Sequence, residues 1–191
     1  MPIYIIEHLE PEVHPWCLIE YKNISKIVGK NNLWFTNITQ TSREAEELGK
    51  FGKVLKESVA KLNLKKSCIL DPEAPSCLTP SEAKSFDYFI FGGILGDYPP
   101  RKRTTPELTS RMKNTKIRNI GKRQFSTDNA VLVVKEIVNG KNLKDIKCKN
   151  KLTIKINEIE SIDLPYCYPL VDGKPQISEE LVSFLKNKKE F

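Results

Sequence analysis

The chain reads Phe91-Gly92-Gly93-Ile94-Leu95-Gly96-Asp97-Tyr98-Pro99-Pro100-Arg101-Lys102-Arg103-Thr104 at the end of a strongly apolar segment. Three of its nine glycines fall within five residues here, so the backbone must either turn with positive φ or let a ligand approach where no Cβ interferes. The pattern favours a small-molecule pocket. It is also compatible with a tight turn into a solvated basic loop, because glycine and proline are common turn residues.

Strand-like and helix-like segments alternate on both sides of this stretch. Short apolar runs predict strands at 3–6, 16–21, 33–36, 67–70, 86–91 and 116–120. Capping residues followed by periodic apolar residues predict helices at 41–62, after Thr79, after Thr105, over 130–138 and from Ser178. This alternation predicts an α/β fold with a parallel sheet and covering helices, whose ligand sites lie at the carboxyl ends of the strands.

The length of 191 residues is enough for one sizeable core, and we expect a single domain over residues 1–191. The pattern changes after Asn139, where alternating residues such as Leu152 to Ile156 indicate hairpin or edge strands. We interpret residues 140–177 as an elaboration of that domain. No segment approaches the ~18 apolar residues that span a bilayer, and the first residues lack the features of a secretory signal, so we predict a cytoplasmic protein without membrane contact.

Metal binding is not predicted. The five cysteines are widely spread, without a Cys-x-x-Cys pair, and His8 and His14 lack an obvious third ligand. We therefore expect reduced, mostly buried thiols. The net charge of +7 favours a polyanionic partner such as nucleic acid, although the lysines are spread along the chain and do not identify it.

Three predicted strand ends carry unusual residues, at 70–72, 92–97 and 121–126. In a parallel sheet these loops would gather at one edge and form a cleft, in which their backbone could recognise an adenine and a ribose. Leu70, Leu95 and Phe125 would line its apolar part. The spacing matches neither a Gly-x-Gly-x-x-Gly dinucleotide turn nor a P-loop.

Several short motifs in the chain together resemble one known family. They are Tyr4-Ile5-Ile6-Glu7-His8-Leu9, Glu20-Tyr21, Phe35-Thr36-Asn37, Leu70-Asp71-Pro72, Phe91 to Asp97 with Pro99-Pro100-Arg101, Gly121-Lys122-Arg123-Gln124, Leu164-Pro165-Tyr166 and Asp172-Gly173-Lys174-Pro175. In this order they are similar to the SPOUT-class methyltransferases, in the archaeal and eukaryotic branch that includes the fungal ribosomal-protein arginine methyltransferase. The resemblance extends almost from end to end of the chain.

The resemblance implies a trefoil knot toward the C-terminal end and a monomer. It also implies S-adenosylmethionine as the cofactor, bound by three loops. Carried over residue by residue, the cofactor site comprises Leu70, Asp71, Pro72, Gly92, Gly93, Leu95, Gly96, Gly121, Lys122, Gln124, Phe125 and Ser126.

The catalytic candidates surround the glycine-rich loop. Asp97 is the first candidate to hold the acceptor or take its proton, although aspartate also caps turns. Glu7 is a second acidic candidate for receiving a cationic side chain, and Glu20 is a third. Arg101, and also Arg103, would orient an anionic group or lie on a basic surface loop.

The expected activity is methylation of an arginine in a ribosomal protein. Two alternatives stay open at this point. The acceptor could be an RNA nucleotide, which the positive charge favours. The chain could also be a non-catalytic ribonucleoprotein adaptor that keeps the fold alone.

Overall fold

A six-stranded sheet forms the centre of the protein in the computed structural model, which describes residues 1–39, 42–96 and 99–187. The strands run in the order β3-β2-β1-β5-β4-β6, and every neighbouring pair is parallel. Their bounds are β1 Ile3–His8, β2 Leu33–Thr36, β3 Lys53–Val54, β4 Ser67–Leu70, β5 Tyr88–Gly93 and β6 Lys116–Arg118. The predicted α/β fold with a parallel sheet is confirmed.

Helices connect and cover these strands. They are α1 Pro15–Val28, α2 Ser42–Gly49, α3 Pro80–Ala83, α4 Thr104–Glu107, α5 Thr127–Val138 and α6 Glu179–Asn187. Single 3₁₀ turns lie at Lys30–Asn32, Val59–Lys61, Thr109–Arg111 and Leu143–Asp145. Within the described part of the chain, no helix is long and apolar enough to cross a membrane.

The side chains of the sheet alternate between two cores. Ile6, Phe35 and Phe89 point to the face on which α1 and α5 pack. Ile5 and Ile69 point to the opposite face, which the 3₁₀ turn at Val59–Lys61 and the 104–112 segment cover. Burial on both faces explains why the strands are continuously apolar, as is typical of parallel sheets.

The predicted elaboration contains short antiparallel strands: β7 Cys148–Lys149, β8 Leu152–Lys155, β9 Ser161–Leu164, β10 Tyr168–Val171 and β11 Lys174–Pro175. Strands β8 and β9 form a two-stranded hairpin, and β11-β10-β7 form a separate three-stranded sheet. Leu164, Tyr168 and Leu181 form a small core with Ile19 of α1. The elaboration is thereby held beside the carboxyl edge of the main sheet.

The predicted strand at 16–21 is wrong, because these residues belong to α1. His14 caps this helix by accepting a hydrogen bond from the Trp16 backbone, and Pro15 occupies its first position. Cys17, Tyr21 and Ile24 are buried on one side of the helix at intervals of four and three residues. A short apolar run alone does not distinguish a buried strand from a helix.

Two further segments differ from prediction. The helix expected over 41–62 ends at Gly49, and β3 follows, with Gly52 between them. A Cβ at Gly52 would lie 2.7 Å from the Leu33 carbonyl oxygen, so glycine is needed where this segment meets β2. The segment after Asn139, where hairpin or edge strands are predicted, begins instead with the 3₁₀ turn Leu143–Asp145. The single domain over residues 1–191 and the trefoil knot stay predictions.

Candidate functional site

A cavity of about 270 Å³ opens at the carboxyl edge of the sheet, where the three predicted loops meet. Its volume is close to the lower end of the range for small-molecule sites, roughly 300 Å³. The predicted cofactor residues that line it are Leu70, Asp71, Pro72, Gly92, Leu95, Gly96, Gly121, Lys122, Gln124 and Phe125. The structure therefore brings together loops that are up to about fifty residues apart in the sequence, because parallel strands end at one edge.

Two of the predicted cofactor residues, Gly93 and Ser126, do not line the large cavity. A Cβ on Gly93 would lie 2.3 Å from the Tyr21 hydroxyl and 2.9 Å from Ile6 Cγ2, so this glycine permits core packing under the loop. Ser126 lines a neighbouring cavity, and its hydroxyl donates a hydrogen bond to Asp128 at 2.6 Å. Neither of these two residues is among the described walls of the large cavity.

The walls of the large cavity fit a nucleoside that carries an amino acid. Phe91, Ile120 and Ala130 extend the apolar surface that Leu70 and Phe125 begin, and such a surface suits an adenine ring. Cationic residues at 101–103, 122 and 123 also line this cavity, and cations suit a carboxylate. The residues present therefore suit S-adenosylmethionine, which supplies a sulfonium-bound methyl group when bound.

Asp71 connects two of the segments that line this cavity. Its side chain is buried, with 2% exposed, and one oxygen accepts a hydrogen bond from the Glu73 backbone at 2.9 Å. The other oxygen accepts from the hydroxyls of Thr105 at 2.8 Å and Thr109 at 2.6 Å. The carboxylate thus ties the loop after β4 to the segment that carries α4.

Glu10 fixes the glycine-rich loop, and it was not among the residues predicted from the sequence. Its Oε1 accepts hydrogen bonds from the Leu95 backbone at 2.8 Å and from Arg103 at 2.7 Å. Hydrogen bonds from Arg103 to Glu107, and then to Glu10, raise the pKa of the Arg103 guanidinium. Arg103 is therefore engaged by two carboxylates of the protein. The only sequence signal for Glu10 was an acid two residues beyond the first strand.

A second cavity of about 120 Å³ adjoins the first. Ile94, Leu95, Gly96, Phe125 and Thr127 line both cavities and form a shared wall. The remaining walls of the small cavity are Trp16, Glu20, Ser126 and Tyr166. A Cβ on Gly96 would lie 2.5 Å from the Tyr166 hydroxyl, so glycine allows the elaboration to close this cavity.

Glu20 is the carboxyl group of the small cavity. It is 7% exposed, and its oxygens accept hydrogen bonds from Trp16 Nε1 at 2.7 Å and from the Thr127 backbone at 3.3 Å. Trp16 and Glu20 lie one helical turn apart on α1, which explains their contact. Burial, followed by the nearby Asp128 carboxylate, raises the pKa of Glu20 to about 8.

The catalytic candidates predicted from the sequence have different outcomes. Asp97 lies outside the described residues. Arg101 lies on the wall of the large cavity. Glu7 is 2% exposed and accepts hydrogen bonds from Thr36, Ser58 and the Val59 backbone.

These three hydrogen bonds change the interpretation of Glu7. Its carboxylate ties the end of β1 to β2 and to the 58–59 segment, and the described walls of the two cavities do not include it. We therefore assign Glu7 a structural position. Of the two secondary acids predicted from the sequence, Glu20 is the one that reaches a cavity.

Other predicted features concern metals and thiols. In residues 1–39, 42–96 and 99–187, no group of three or more His, Cys, Asp or Glu side chains is placed to hold a metal ion. Cys17, Cys68 and Cys167 are buried free thiols, whereas Cys77 is exposed.

Comparison with known proteins gives a match over nearly the whole chain. A family model described as SFM1-like protein arginine N-methyltransferase matches residues 3–190. Protein arginine N-methyltransferase SFM1 of Saccharomyces cerevisiae is 36% identical over 200 residues, which cover 96% of this chain and 93% of the yeast protein.

Solved structures are also similar to this chain. The yeast arginine methyltransferase SFM1 complexed with SAM matches with a TM-score of 0.88 and 32% identity, over 97% of this chain and 90% of that chain. The dual specific Trm10 from Thermococcus kodakaraensis matches with a TM-score of 0.60 and 17% identity, over 76% of this chain and 96% of that chain. The second likeness supports the fold alone.

Proposed function

The chain belongs to the SFM1-like protein arginine N-methyltransferase family, and we propose that it methylates an arginine side chain of a ribosomal protein. As a member of this family it is an S-adenosylmethionine-dependent methyltransferase. The ribosomal substrate is our proposal, together with action as a monomer in the cytoplasm.

The observation that carries the proposal is the pair of adjoining cavities. The larger one suits the cofactor, and the smaller one shares the wall formed by Ile94, Leu95, Gly96, Phe125 and Thr127 with it. Methyl transfer requires in-line alignment of the donor carbon and the acceptor atom, which two ligand spaces on either side of a common edge can provide. This arrangement supports an enzyme rather than a non-catalytic adaptor.

The lining of the small cavity favours an arginine over a nucleotide. Trp16, Tyr166 and Glu20 offer aromatic rings and a carboxyl group, which suit a guanidinium. The basic residues 101–103, 122 and 123 lie instead along the large cavity. A protein target surrounded by ribosomal RNA phosphates accounts for both the acidic pocket and the net charge of +7.

The acceptor can be identified with radiolabelled methyl groups. Purified protein and labelled S-adenosylmethionine are incubated with ribosomes from cells that lack the enzyme, and the product is treated separately with protease and ribonuclease. We expect the label to resist ribonuclease, to become acid-soluble with protease and to appear as methylarginine after hydrolysis. Label that survives protease but is lost with ribonuclease would contradict the protein substrate and support the RNA alternative.

Cofactor binding distinguishes the two enzyme hypotheses, arginine methylation and RNA methylation, from the non-catalytic adaptor. Titration of the protein with S-adenosylmethionine in a calorimeter is expected to give saturable heat with one site per chain. A protein that takes up no cofactor and transfers no label would support the adaptor instead.

The substitution Asp97→Ala is expected to reduce methyl transfer by ~100-fold or more while leaving cofactor affinity within about twofold, because it removes the carboxylate that we propose holds the acceptor or takes its proton. Single-turnover transfer and calorimetric binding measure the two quantities. Asp145→Ala, on an exposed 3₁₀ turn, is the matched control and is expected to change neither. Unchanged turnover in Asp97→Ala would make Asp97 a turn residue.

A further inference from the structure

We propose that the amino edge of the main sheet, where its strands begin, is a docking surface for the phosphate backbone of ribosomal RNA. The surface consists of four lysines, named here the amino-edge patch: Lys65, Lys66, Lys113 and Lys116. It goes beyond the proposed function, because RNA would bind this surface whichever side chain receives the methyl group.

Two loops that lie far apart in the sequence build the amino-edge patch. One loop carries Lys65 and Lys66 and leads into β4, and the other carries Lys113 and leads into β6, which begins at Lys116. Strands β4 and β6 are parallel neighbours in which Cys68 is paired with Lys116, so their starts lie side by side. All four lysines are exposed. The fold therefore gathers at one edge cations that the sequence spreads along the chain.

Hydrogen bonds hold the two loops in fixed positions. The Ser67 hydroxyl donates to the Leu64 carbonyl oxygen at 3.0 Å and lies 3.1 Å from the Thr115 hydroxyl of the other loop. The Lys66 carbonyl oxygen accepts a hydrogen bond from the Asp87 backbone at 2.9 Å, which attaches the first loop to the start of β5. A charged surface on ordered backbone loses less conformational entropy when it binds a ligand.

The positive charge of the amino-edge patch is almost unbalanced. Within the described part of the chain, its ion pairs comprise one contact, between Lys66 Nζ and Asp87 Oδ2 at 3.8 Å. The two side chains of this pair are 69% and 62% exposed, so their attraction is weak in water. Four cations beside one carboxylate attract polyanions.

The backbone of Lys66 is a second indication that a cation is used here. Its φ is 52°, in the left-handed region that favours glycine and asparagine. Asn63 and Asn114, in the same two loops, adopt this conformation with φ of 47° and 58°. A lysine is less stable in this conformation than either of those residue types. The position therefore keeps a positive charge that the fold does not need.

Phosphate is the anion that suits this surface best. A lysine ammonium is a compact point charge that binds phosphate oxygens, whereas protein–protein interfaces are depleted in lysine. The proposed methyl acceptor belongs to a ribosomal protein, and RNA phosphates surround such a protein in the ribosome. Contacts to phosphates carry no sequence information, so we expect RNA binding with little sequence preference.

The position of the patch separates docking from catalysis. The large cavity lies at the carboxyl edge of the sheet, and the described walls of both cavities include none of the four lysines. The four residues of β4 alone span about 13 Å between the two edges. RNA at the amino edge would leave the carboxyl edge free for the protein substrate and would raise the local concentration of the enzyme beside it.

Direct binding to RNA tests the proposal without cofactor or methyl acceptor. A fluorescein-labelled single-stranded RNA of mixed sequence is titrated with the purified protein, and fluorescence anisotropy is measured at several KCl concentrations. The patch variant carries Lys65→Gln, Lys66→Asn, Lys113→Gln and Lys116→Gln. We expect its RNA affinity to fall by at least ~10-fold at low salt. The slope of log affinity against log salt should become shallower by about 3, because each lysine neutralises about one phosphate.

A control variant loses the same number of charges elsewhere on the surface. It carries Lys26→Gln, Lys30→Gln, Lys56→Gln and Lys155→Gln, at exposed positions outside the patch. We expect its RNA affinity to stay within about threefold of the wild type and its salt slope to change by less than about 1. Equal losses in the two variants would show that only the overall charge attracts RNA, and would overturn the proposal.

The single substitution Lys66→Asn separates binding from folding. Asparagine tolerates left-handed backbone, so the thermal unfolding midpoint should stay the same or rise. RNA affinity should nevertheless fall by about 2–5-fold, with a salt slope shallower by about 1. Lys66→Arg keeps the charge and should keep the affinity. A lower midpoint with unchanged RNA affinity in Lys66→Asn would make this lysine structural and contradict the proposal.

The remaining outcomes distinguish RNA docking from membrane binding and from the proposed function. A wild-type protein that does not bind RNA at low salt, or that binds phosphatidylserine vesicles more tightly than RNA, would overturn the proposal. Neither result depends on methyl transfer, so the proposed function would stand. Conversely, a protein that binds RNA through the patch but methylates no protein would refute the proposed function and leave the docking surface intact.

Discussion

Gly93→Ala is expected to lower the free energy of unfolding by ~2–4 kcal/mol, although it adds a single methyl group. Gly93 ends β5, the central strand next to β1, and its added Cβ would lie 2.3 Å from the Tyr21 hydroxyl, 2.9 Å from Ile6 and 3.2 Å from the Glu7 carbonyl. The Tyr21 ring is fully buried and its hydroxyl is hydrogen-bonded to His8 at 2.8 Å. Moving the ring would break this hydrogen bond and leave two buried polar groups unpaired in apolar surroundings.

Urea unfolding followed by circular dichroism measures this effect. Gly49→Ala is the matched control, because no atom apart from its chain neighbours and the backbone of its own helix lies within 4 Å of its added Cβ, and the residue ends α2. That variant is expected to be neutral or stabilising by up to ~1 kcal/mol. Equal unfolding midpoints and slopes for Gly93→Ala and the wild type would show that the core beneath the loop can accept a methyl group.

Asp71→Ala is expected to lower the free energy of unfolding by ~2–4 kcal/mol and to weaken binding of S-adenosylmethionine by at least ~10-fold. The substitution removes the acceptor of three hydrogen bonds, from Glu73, Thr105 and Thr109. The loop after β4 and the segment of α4 both line the cofactor cavity, so their separation disturbs two walls at once.

Calorimetric titration and urea unfolding measure the two effects of this change. Asp71→Asn keeps one acceptor oxygen and is expected to lie between wild type and Asp71→Ala. Asp87→Ala removes an exposed aspartate whose ion pair with Lys66 is 3.8 Å long, and it is expected to change stability by less than ~1 kcal/mol. A stable Asp71→Ala that loses cofactor alone would contradict the tie between the loops and make Asp71 a direct ligand.

The sequence could predict the loops that line the large cavity because their signals are local. Gly92 lies near the end of β5, Gly96 follows that strand and Gly121 follows β6; parallel strands end at one edge, so the loops had to meet. It could not predict Glu10, whose carboxylate reaches Leu95 across 85 residues. Nor could it separate Gly92, which lines the cavity, from Gly93, whose missing Cβ makes room for the core.

The small cavity shows the same limit. Trp16 and Glu20 lie in a run that was predicted as a strand, in which they would not have shared a helical turn. The hydrogen bond between Glu20 and Thr127 joins residues 107 positions apart, and the contact of Tyr166 with Gly96, which closes the cavity, joins residues 70 positions apart.

The sequence by itself determined the parallel α/β fold, the family and the three loops that meet at the large cavity, since apolar periodicity, turn residues and short motifs act over a few neighbouring positions. The tertiary structure alone decided which acid becomes structural and which lines a cavity. Glu7 and Glu20 are both buried acids of apolar segments, but Glu7 meets three donors at the end of β1, whereas Glu20 meets two beside open space. The environment of a side chain depends on elements distant in sequence, and that environment sets its protonation and its chemistry.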